Sequence, residues 1–212
     1  MKLAWKLSLG FALILFMMLA STLIVQYKTS RAIDISESFV EDYLPLSLAA
    51  ADMKLQAVQI QQWLTDVSAT HNRDGYGDAD EAVKIFLEQK EKFRAFFDKR
   101  KDAASLRRLD DIEKDMRKLY ADGKAMAEAY IGSGLDAGNE LMENVDAASE
   151  ALTKSLDPFI KEQTELSMSA AREISGTLLS GSRMSFVLLG LSLLLGVGAS
   201  LFIIRRLMAQ LG

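Results

Sequence analysis

The chain has 212 residues, of which 25 are lysine or arginine and 29 are aspartate or glutamate, for a formal net charge of -4. This acidic balance argues against a nucleic-acid-binding protein, whose binding face is normally strongly basic. The sequence contains no cysteine, which excludes disulfides, thiolate nucleophiles and cysteine-ligated metal centres. Because it has only two prolines and is rich in alanine, leucine, glutamate and lysine, we predict an all-α fold.

The first element is an uncharged run at residues 7–25, "LSLGFALILFMMLASTLIV". At about 1.5 Å per residue, a helix of this length crosses the roughly 30 Å hydrocarbon layer of a membrane. A cleaved signal peptide is the competing interpretation, because Lys2 and Lys6 precede the run. The apolar run is longer than a usual signal core, and Met18-Leu19-Ala20 is a poor cleavage site. We therefore predict a retained transmembrane helix.

The next predicted helix begins near Gln26 and ends near Asn72. Apolar residues recur along it at alternating spacings of four and three, which is typical of a helix that packs in a bundle. The main stripe, which we expect in the core, consists of Met53, Ala57, Ile60, Leu64, Val67 and His71. A second stripe beside it, which we also expect to be buried, consists of Leu44, Leu48, Ala51, Leu55 and Val58.

The segment "RDGYGD" after this helix is predicted to turn the chain. We expect Gly75 to be the C-terminal cap of the first helix, because glycine readily adopts the left-handed conformation found there. Asp78, followed three residues later by Glu81, resembles a capping box and predicts the start of the second helix.

Three further helices are predicted between this turn and the second apolar run. The second, over about residues 79–98, contributes Phe86, Phe93 and Phe97 to the core. The third contributes Leu109, Ile112, Met116, Leu119, Gly123, Met126 and Tyr130. The fourth begins near Leu135 and contributes Leu141, Val145, Ala148, Leu152, Ser155 and Phe159, then Gln163, Leu166 and Ala170. Glycines in "GSGLDAGN" separate the third and fourth helices; "DKRKDAAS" allows a turn or a bent helix, and we prefer the turn.

The last apolar run is "MSFVLLGLSLLLGVGASLFII" at residues 184–204, which predicts a second transmembrane helix. Cations precede the first run and follow the second, where Arg205 and Arg206 lie, so both termini should be cytoplasmic. The resulting division is a cytoplasmic N-terminus at 1–6, a span at 7–25, an extracytoplasmic domain at 26–183, a span at 184–204 and a cytoplasmic end at 205–212. We expect the domain to be an up-down four-helix bundle with long first and fourth helices.

The two prolines, Pro45 and Pro158, are predicted to lie at similar distances from the two spans, about 20 and 25 residues away. A proline removes a backbone donor and bends its helix. We therefore predict hinges at both prolines, where a bundle joins a stem made of the first and fourth helices. Independent kinks at the two positions remain an alternative.

The arrangement of two spans around a helical bundle resembles the sensory half of bacterial methyl-accepting chemotaxis proteins. The segments that carry the resemblance are "NELMENVDAASEALTKSLDPFIKEQ" at 139–163, "YLPL" in the first helix and "WLTDVSATHNRDGY" at its end, while "RRLMAQLG" at 205–212 is similar to the start of the HAMP linker. The resemblance implies a homodimer in the bacterial inner membrane that detects a small molecule in the periplasm. It also implies that binding of this molecule displaces the fourth helix. Contact with the chemotaxis kinase and adaptor would require a cytoplasmic domain outside these 212 residues.

Similar sensor domains also precede histidine kinases and diguanylate cyclases, so the input half of such an enzyme is an alternative. A membrane-anchored helical adaptor that senses nothing is another. The chain itself is not expected to be an enzyme or to hold a cofactor, because it has a single histidine, no cysteine and no glycine-rich nucleotide loop. His71 and the neighbouring Asp74, Asp78 and Asp80 do not have calcium-loop spacing, so no metal site is expected.

A polar stripe on the first helix is the candidate ligand-facing surface. It consists of Gln59, Gln62, Asp66, Thr70 and Arg73. The arginine could hold a ligand carboxylate through two parallel hydrogen bonds. The competing interpretation is a solvated helix face, which is the commoner use of such residues.

Overall fold

The computed structural model describes residues 2–211, and every secondary-structure element in that range is helical. The all-α prediction is confirmed. The elements, in chain order, are α1 (Lys2–Ser38), a π-helical segment (Phe39–Tyr43), α2 (Leu44–Thr70), α3 (Gly75–Arg100), α4 (Ala103–Ser133) and α5 (Leu135–Leu211).

The chain forms two compact units. One unit, which we call the bundle, is continuous in sequence from Phe39 to Met168 and contains the π segment, α2, α3, α4 and the first part of α5. The other, which we call the two-helix unit, contains α1 and the part of α5 that begins at Ser169. Residues 26 and 183 were predicted to be the limits of the extracytoplasmic domain, where it meets the two membrane spans. These boundaries remain a prediction.

The core of the bundle is formed by one face of each of its four helices. In α2 the main stripe is buried from Met53 to Val67, as predicted. The three phenylalanines of α3 are buried as well, and Phe93 meets Phe159 of α5 edge-on at 4.8 Å between ring centroids. Gly123 of α4 lies so close to α2 that an added Cβ would be 2.5 Å from Leu64 Cδ1, so a side chain there would push the two helices apart.

The second stripe of α2 was predicted to be buried, and that prediction is wrong. Leu48, Leu55 and Val58 are 63%, 52% and 55% exposed, and Leu44 and Ala51 are exposed too. The reason is that α2 packs on its neighbours through three other residues, Leu46, Ala49 and Ala50, which continue the main stripe. The bundle therefore carries an unpartnered row of apolar side chains, which we call the α2 stripe.

The predicted core positions of α4 are buried or, for Tyr130, partly buried. In α5 the prediction drifts by one residue. Leu156 and Ser167 are buried, whereas Leu166 is 44% exposed and Ser155 is only half-buried. A strict alternation of four and three has a period of 3.5 residues, and the helical period of 3.6 moves the buried face along a helix this long.

The turn between α2 and α3 differs from the predicted one. The C-terminal cap of α2 is His71, which is exposed, with a left-handed φ of 59°, and donates its backbone N–H to the carbonyl of Val67. Gly75 begins α3 and is buried against Val67, so neither the core position predicted for His71 nor the cap predicted for Gly75 is correct. Asp78 lies inside α3, so it does not cap that helix.

His71 therefore occupies a backbone conformation that glycine adopts with less strain. We expect His71→Gly to raise the free energy of unfolding by about 0.5 to 1 kcal/mol and His71→Val to lower it by about 1 kcal/mol, because a β-branched residue tolerates this conformation poorly. Urea denaturation followed by circular dichroism would measure both. Equal stability of the two variants would show that the cap does not constrain the fold.

The other two turns are where the sequence predicts them. Lys101 has a left-handed φ of 56°, and the Asp102 carboxylate accepts hydrogen bonds from the backbone N–H and the hydroxyl of Ser105 at the start of α4. This capping interaction lowers the pKa of Asp102. Gly134, with φ of 91°, separates α4 from α5. The turn at Lys101 and Asp102 confirms the prediction that "DKRKDAAS" is a turn and not part of one bent helix.

The two predicted hinges have different surroundings. Pro45 is the second residue of α2, and the π segment lies directly before it. Proline has no N–H for the carbonyl four residues earlier and crowds that carbonyl, which the wider π turn accommodates. Pro158 lies inside α5, which continues through it as a helix. Asp42 of the π segment accepts a hydrogen bond from Arg100 at 3.0 Å, so the end of α3 is tied to this segment. The hinge roles themselves remain predictions.

The two-helix unit contains the apolar runs. Among the described residues, two helices are long and apolar enough to cross a membrane, within Ser8–Thr70 and Leu135–Arg206, and their most apolar stretches are only 6% and 0% buried. A soluble core helix of this composition would be covered by protein. Inside the unit, the hydroxyls of Ser21 and Ser185 are 3.0 Å apart, and Arg31 donates to Glu173 at 3.0 Å. These contacts join α1 to α5.

A buried cation lies in the middle of the α3–α4 hairpin. The side chain of Lys90 is 5% exposed, and its ammonium group donates to Glu113 of α4 and lies 3.1 Å from Glu91. Hydrogen bonding from Lys90 lowers the pKa of Glu113, and Arg117 contributes in the same direction. Because the folded pKa is depressed, this stabilisation is complete above the unfolded pKa of about 4.3 and is lost as the pH falls through the folded value.

We expect Glu113→Ala to lower the free energy of unfolding by about 3 kcal/mol, since it leaves a buried ammonium group with only its weaker partner. The double variant Lys90→Met, Glu113→Ala should recover most of this loss, because no buried charge remains. Chemical denaturation at pH 7 and at pH 3.5 would test both points. Stability of the single variant equal to that of the double would contradict the assignment.

Candidate functional site

The predicted ligand-facing residues lie along α2 and just beyond its end. Gln59 is half-buried, and its side-chain oxygen accepts a hydrogen bond from Nε1 of Trp63 at 3.3 Å. Gln62, Asp66 and Thr70 are exposed, and the Thr70 hydroxyl donates to the backbone carbonyl of Asp66 at 2.8 Å. These three side chains therefore form part of the bundle surface and do not lie between its helices.

Arg73 is the exception, because it contacts another helix. Its Nη2 donates to Oε2 of Glu128 on α4 at 2.7 Å. The hydroxyl of Tyr76 donates to the other oxygen of the same carboxylate at 2.8 Å. One of the guanidinium donors that a ligand carboxylate would use is thus already paired with a carboxylate of the chain itself. The contact fastens the α2–α3 turn to the last part of α4.

A second set of contacts lies beside this one. Nζ of Lys124 lies 5.1 Å from the ring centroids of both Tyr76 and Tyr120, within the range of cation–π attraction. It also donates to the Tyr120 hydroxyl at 3.0 Å, and that hydroxyl bonds to the carboxylate of Asp80 on α3. We call the whole group the tip cluster; its members are Arg73, Tyr76, Asp80, Tyr120, Lys124 and Glu128.

The contacts within the tip cluster shift the pKa values of Glu128, Tyr76 and Tyr120. Hydrogen bonds from Arg73 and then Tyr76 lower the pKa of Glu128. Partial burial and the bond to Glu128 raise the pKa of Tyr76 to about 12, and burial followed by Asp80 raises that of Tyr120. Two cations thus face two carboxylates across two neutral phenols. These contacts connect the α2–α3 turn, α3 and α4 at this end of the bundle.

Sequence patterns identified Arg73 but not its partners. Tyr120, Lys124 and Glu128 follow one another at intervals of four along α4, so their common face is visible in the sequence. Their pairing with residues of α3 and the α2–α3 turn depends on the relative register of the helices, which no local pattern gives. Within residues 2–211, no group of three histidine, aspartate or glutamate side chains is placed to hold a metal ion.

Comparisons of the chain with protein-family models, with curated proteins and with solved structures found no match.

Proposed function

We propose that this chain is the sensory and transmembrane part of a bacterial chemoreceptor. In this proposal α1 and α5 anchor it in the inner membrane, both termini are cytoplasmic, and the bundle binds a small molecule in the periplasm. The observation that carries the proposal is the exposure of both apolar stretches, at 6% and 0% buried, in a chain whose bundle has a complete core of its own. Apolar helices that the protein leaves uncovered are expected to be covered by lipid.

The second support is the continuity of α5. This helix belongs to both units and runs without interruption from Leu135 to Leu211. A continuous helix shared by a binding unit and a membrane unit can carry a displacement from one to the other. In the proposed mechanism, ligand binding in the bundle shifts α5 along or across its axis. A signalling part joined after the HAMP-like end at 205–212 would detect that shift.

The partner we propose for the bundle is a second copy of the same chain. The α2 stripe is a continuous row of exposed apolar side chains, and rows of this kind mark protein interfaces. Two copies in one membrane have the same orientation, so the stripes would meet in parallel around a two-fold axis. Gln62 continues the spacing of the stripe, which would place the predicted ligand-facing residues beside the dimer seam.

Membrane topology can be tested directly because the chain has no cysteine of its own. Lys99→Cys in the bundle and Ala209→Cys near the C-terminus provide single labelling sites, and both positions are exposed. A membrane-impermeant maleimide added to intact spheroplasts should label the bundle site and should reach the second site only after lysis. Labelling of Ala209→Cys in intact spheroplasts would contradict the proposed topology.

Sensing is tested with a hybrid receptor in which the 212 residues are joined to the signalling half of a known chemoreceptor. Kinase activity in membranes should change on addition of at least one compound from a panel of amino acids, organic acids and amines. Arg73→Ala should alter the response if the tip cluster takes part in it. An unchanged output with every compound, from a hybrid that reaches the membrane, would favour the non-sensing adaptor. Reading the coding sequence past Gly212 distinguishes a chemoreceptor from a sensor kinase or cyclase.

A further inference from the structure

A groove runs along the two-helix unit between α1 and α5. One part of it has a volume of about 360 Å3 and the other about 310 Å3. Val25, Ser185 and Leu189 line both parts, so the two form one continuous groove. We call the part that reaches Thr29 the outer end and the part that reaches Met17 the inner end; along α1 they are about 18 Å apart.

The hydroxyl groups at the inner end are already hydrogen-bonded within the protein. Those of Ser21 and Ser185 bond to each other at 3.0 Å, which joins the two helices. Those of Thr22 and Ser192 donate to backbone carbonyls of their own helices. The rest of the wall consists of methionine, leucine and valine side chains, apart from Gln26 towards the outer end. The inner end is therefore suited to a hydrocarbon chain, which offers no hydrogen bond.

The outer end contains a cation that has no ion-pair partner. Lys28 is half-buried there, and its Cβ lies 3.1 Å from the position of a Cβ added at Gly181, so its stem packs against α5. Arg31, one turn further along α1, is paired with Glu173. Within residues 2–211, no carboxylate lies within 4 Å of the Lys28 ammonium group. Its charge is thus available to an anion from outside the chain.

The surroundings of Lys28 favour an anion. Although the chain has a net charge of -4, no aspartate or glutamate occurs at 1–33 or at 174–212, the stretches that contain the groove. The hydroxyls of Thr29 and Ser182 line the outer end with Lys28 and can donate hydrogen bonds. An ammonium group with neighbouring hydroxyls suits a phosphate, because hydrogen bonds to a charged oxygen are the stronger kind.

The predicted membrane boundary falls between the two ends of the groove. Val25 is the last residue of the predicted first span, and Lys28 lies about 5 Å beyond it along the helix. From Val25 inward to Met17 is about 12 Å, most of the roughly 15 Å that one leaflet contributes to the hydrocarbon layer. The cation would therefore lie at the level of the lipid headgroups, and the inner end at the depth of the acyl chains.

We propose that this groove binds one anionic phospholipid of the outer leaflet. Its phosphate would accept from Lys28, Thr29 and Ser182, and one acyl chain would lie along the inner end. Lipid is the solvent that reaches the groove, since the protein leaves the apolar stretches of both helices uncovered, and the unpaired Lys28 selects an anionic headgroup over a zwitterionic one. The depth of the site rests on the proposed membrane topology. Because both helices line the groove, a lipid bound there would have to readjust whenever α5 moves relative to α1.

The experiment places one full chain in each lipid nanodisc and attaches a bimane fluorophore to Phe186→Cys. That position lines the groove, and the chain has no cysteine of its own. Lipids with brominated acyl chains quench the fluorophore when they lie against it. Brominated phosphatidylglycerol should reach half-maximal quenching at about a fivefold lower mole fraction than brominated phosphatidylcholine, the gain expected for one cation near an anionic headgroup.

Three variants test whether the groove and its cation cause this preference. Lys28→Gln should reduce it to less than about twofold, whereas Lys28→Arg should retain it. Val25→Phe, which narrows the groove and leaves the cation in place, should reduce it as much as Lys28→Gln does. The matched control is Arg183→Gln, because Arg183 is an exposed cation that follows Ser182 in sequence but does not line the groove. Its loss should leave the preference unchanged.

Two further controls separate a seated lipid from general attraction. A fluorophore at Val187→Cys, which is exposed and does not line the groove, should show no preference. Glycerol 3-phosphate at millimolar concentration should not reverse the quenching, because it offers a phosphate without an acyl chain. Equal quenching by the two lipids at Phe186→Cys, or equal losses in Lys28→Gln and Arg183→Gln, would overturn the proposal. If the topology experiment gives the expected labelling in that case, the lipid site alone is refuted and the proposed function stands.

Discussion

Replacement of Phe159 by alanine is expected to lower the free energy of unfolding of the bundle by about 3 to 5 kcal/mol. The side chain is 1% exposed and forms the contact between α5 and the aromatic residues of α3. Phe93 meets its ring edge-on at 4.8 Å, Phe97 approaches at 6.4 Å, and the guanidinium of Arg108 lies 5.2 Å from its centroid. The rigid helices around it cannot close the space, so the cost includes a cavity as well as lost burial.

The matched control for this prediction is Leu166→Ala on the same helix. That side chain is 44% exposed, so its loss should change the free energy of unfolding by less than about 1 kcal/mol. Urea denaturation of the full chain in nanodiscs, followed by hydrogen exchange of amides in α3 and α4, reports on the bundle specifically. Similar losses for the two variants would mean that α5 does not contribute its aromatic side chain to the core.

The largest functional effect is expected from charges in the α2 stripe. Leu48→Asp combined with Leu55→Asp should weaken association of two chains at least about a thousandfold, which corresponds to about 4 kcal/mol. In a two-fold dimer this change removes four leucines from the seam, each worth about 2 kcal/mol when buried, and places carboxylates there instead. Because both positions are exposed in the single chain, the fold of the bundle should be unaffected.

Energy transfer between labelled chains in nanodiscs or vesicles would measure this association, with circular dichroism as the check on folding. Leu135→Asp is the control, because that leucine is 69% exposed but lies outside the α2 stripe, at the start of α5. Association that is lost in the control as well, or kept in the stripe variant, would place the interface elsewhere on the chain.

Periodicity predicted the helices and most of the core, because each of these features is local. The stripes of α3 and α4, the turn at Lys101–Asp102 and the break at Gly134 all follow from spacing and turn chemistry within a few residues. The second stripe of α2 shows the limit of this reasoning. Spacing alone cannot tell an apolar row that faces the core from one that faces outward, because both rows have the same period.

The candidate sites were harder to predict for a related reason. Within the tip cluster, Glu128 and Arg73 are separated by 55 residues in sequence, and Tyr120 and Asp80 by 40. Their pairing is decided by how far each helix extends past its turn, and an error of one residue rotates a side chain by about 100° around its helix. The cap at His71 was also missed. Glycine is the usual residue at a helix C-terminal cap and histidine is uncommon there, so the prediction chose Gly75, four residues later.

The buried Lys90 also selects among alternative pairings of the same two helices. If α3 slid by one helical turn along α4, its ammonium group would face Leu109 or Arg117 in place of Glu113. The first arrangement leaves the buried ammonium group with only Glu91, which belongs to the same helix, and the second brings two like charges together, whereas the apolar residues on either side would tolerate the slip far better. One charged side chain can therefore exclude misaligned hairpins that a wholly apolar core would permit.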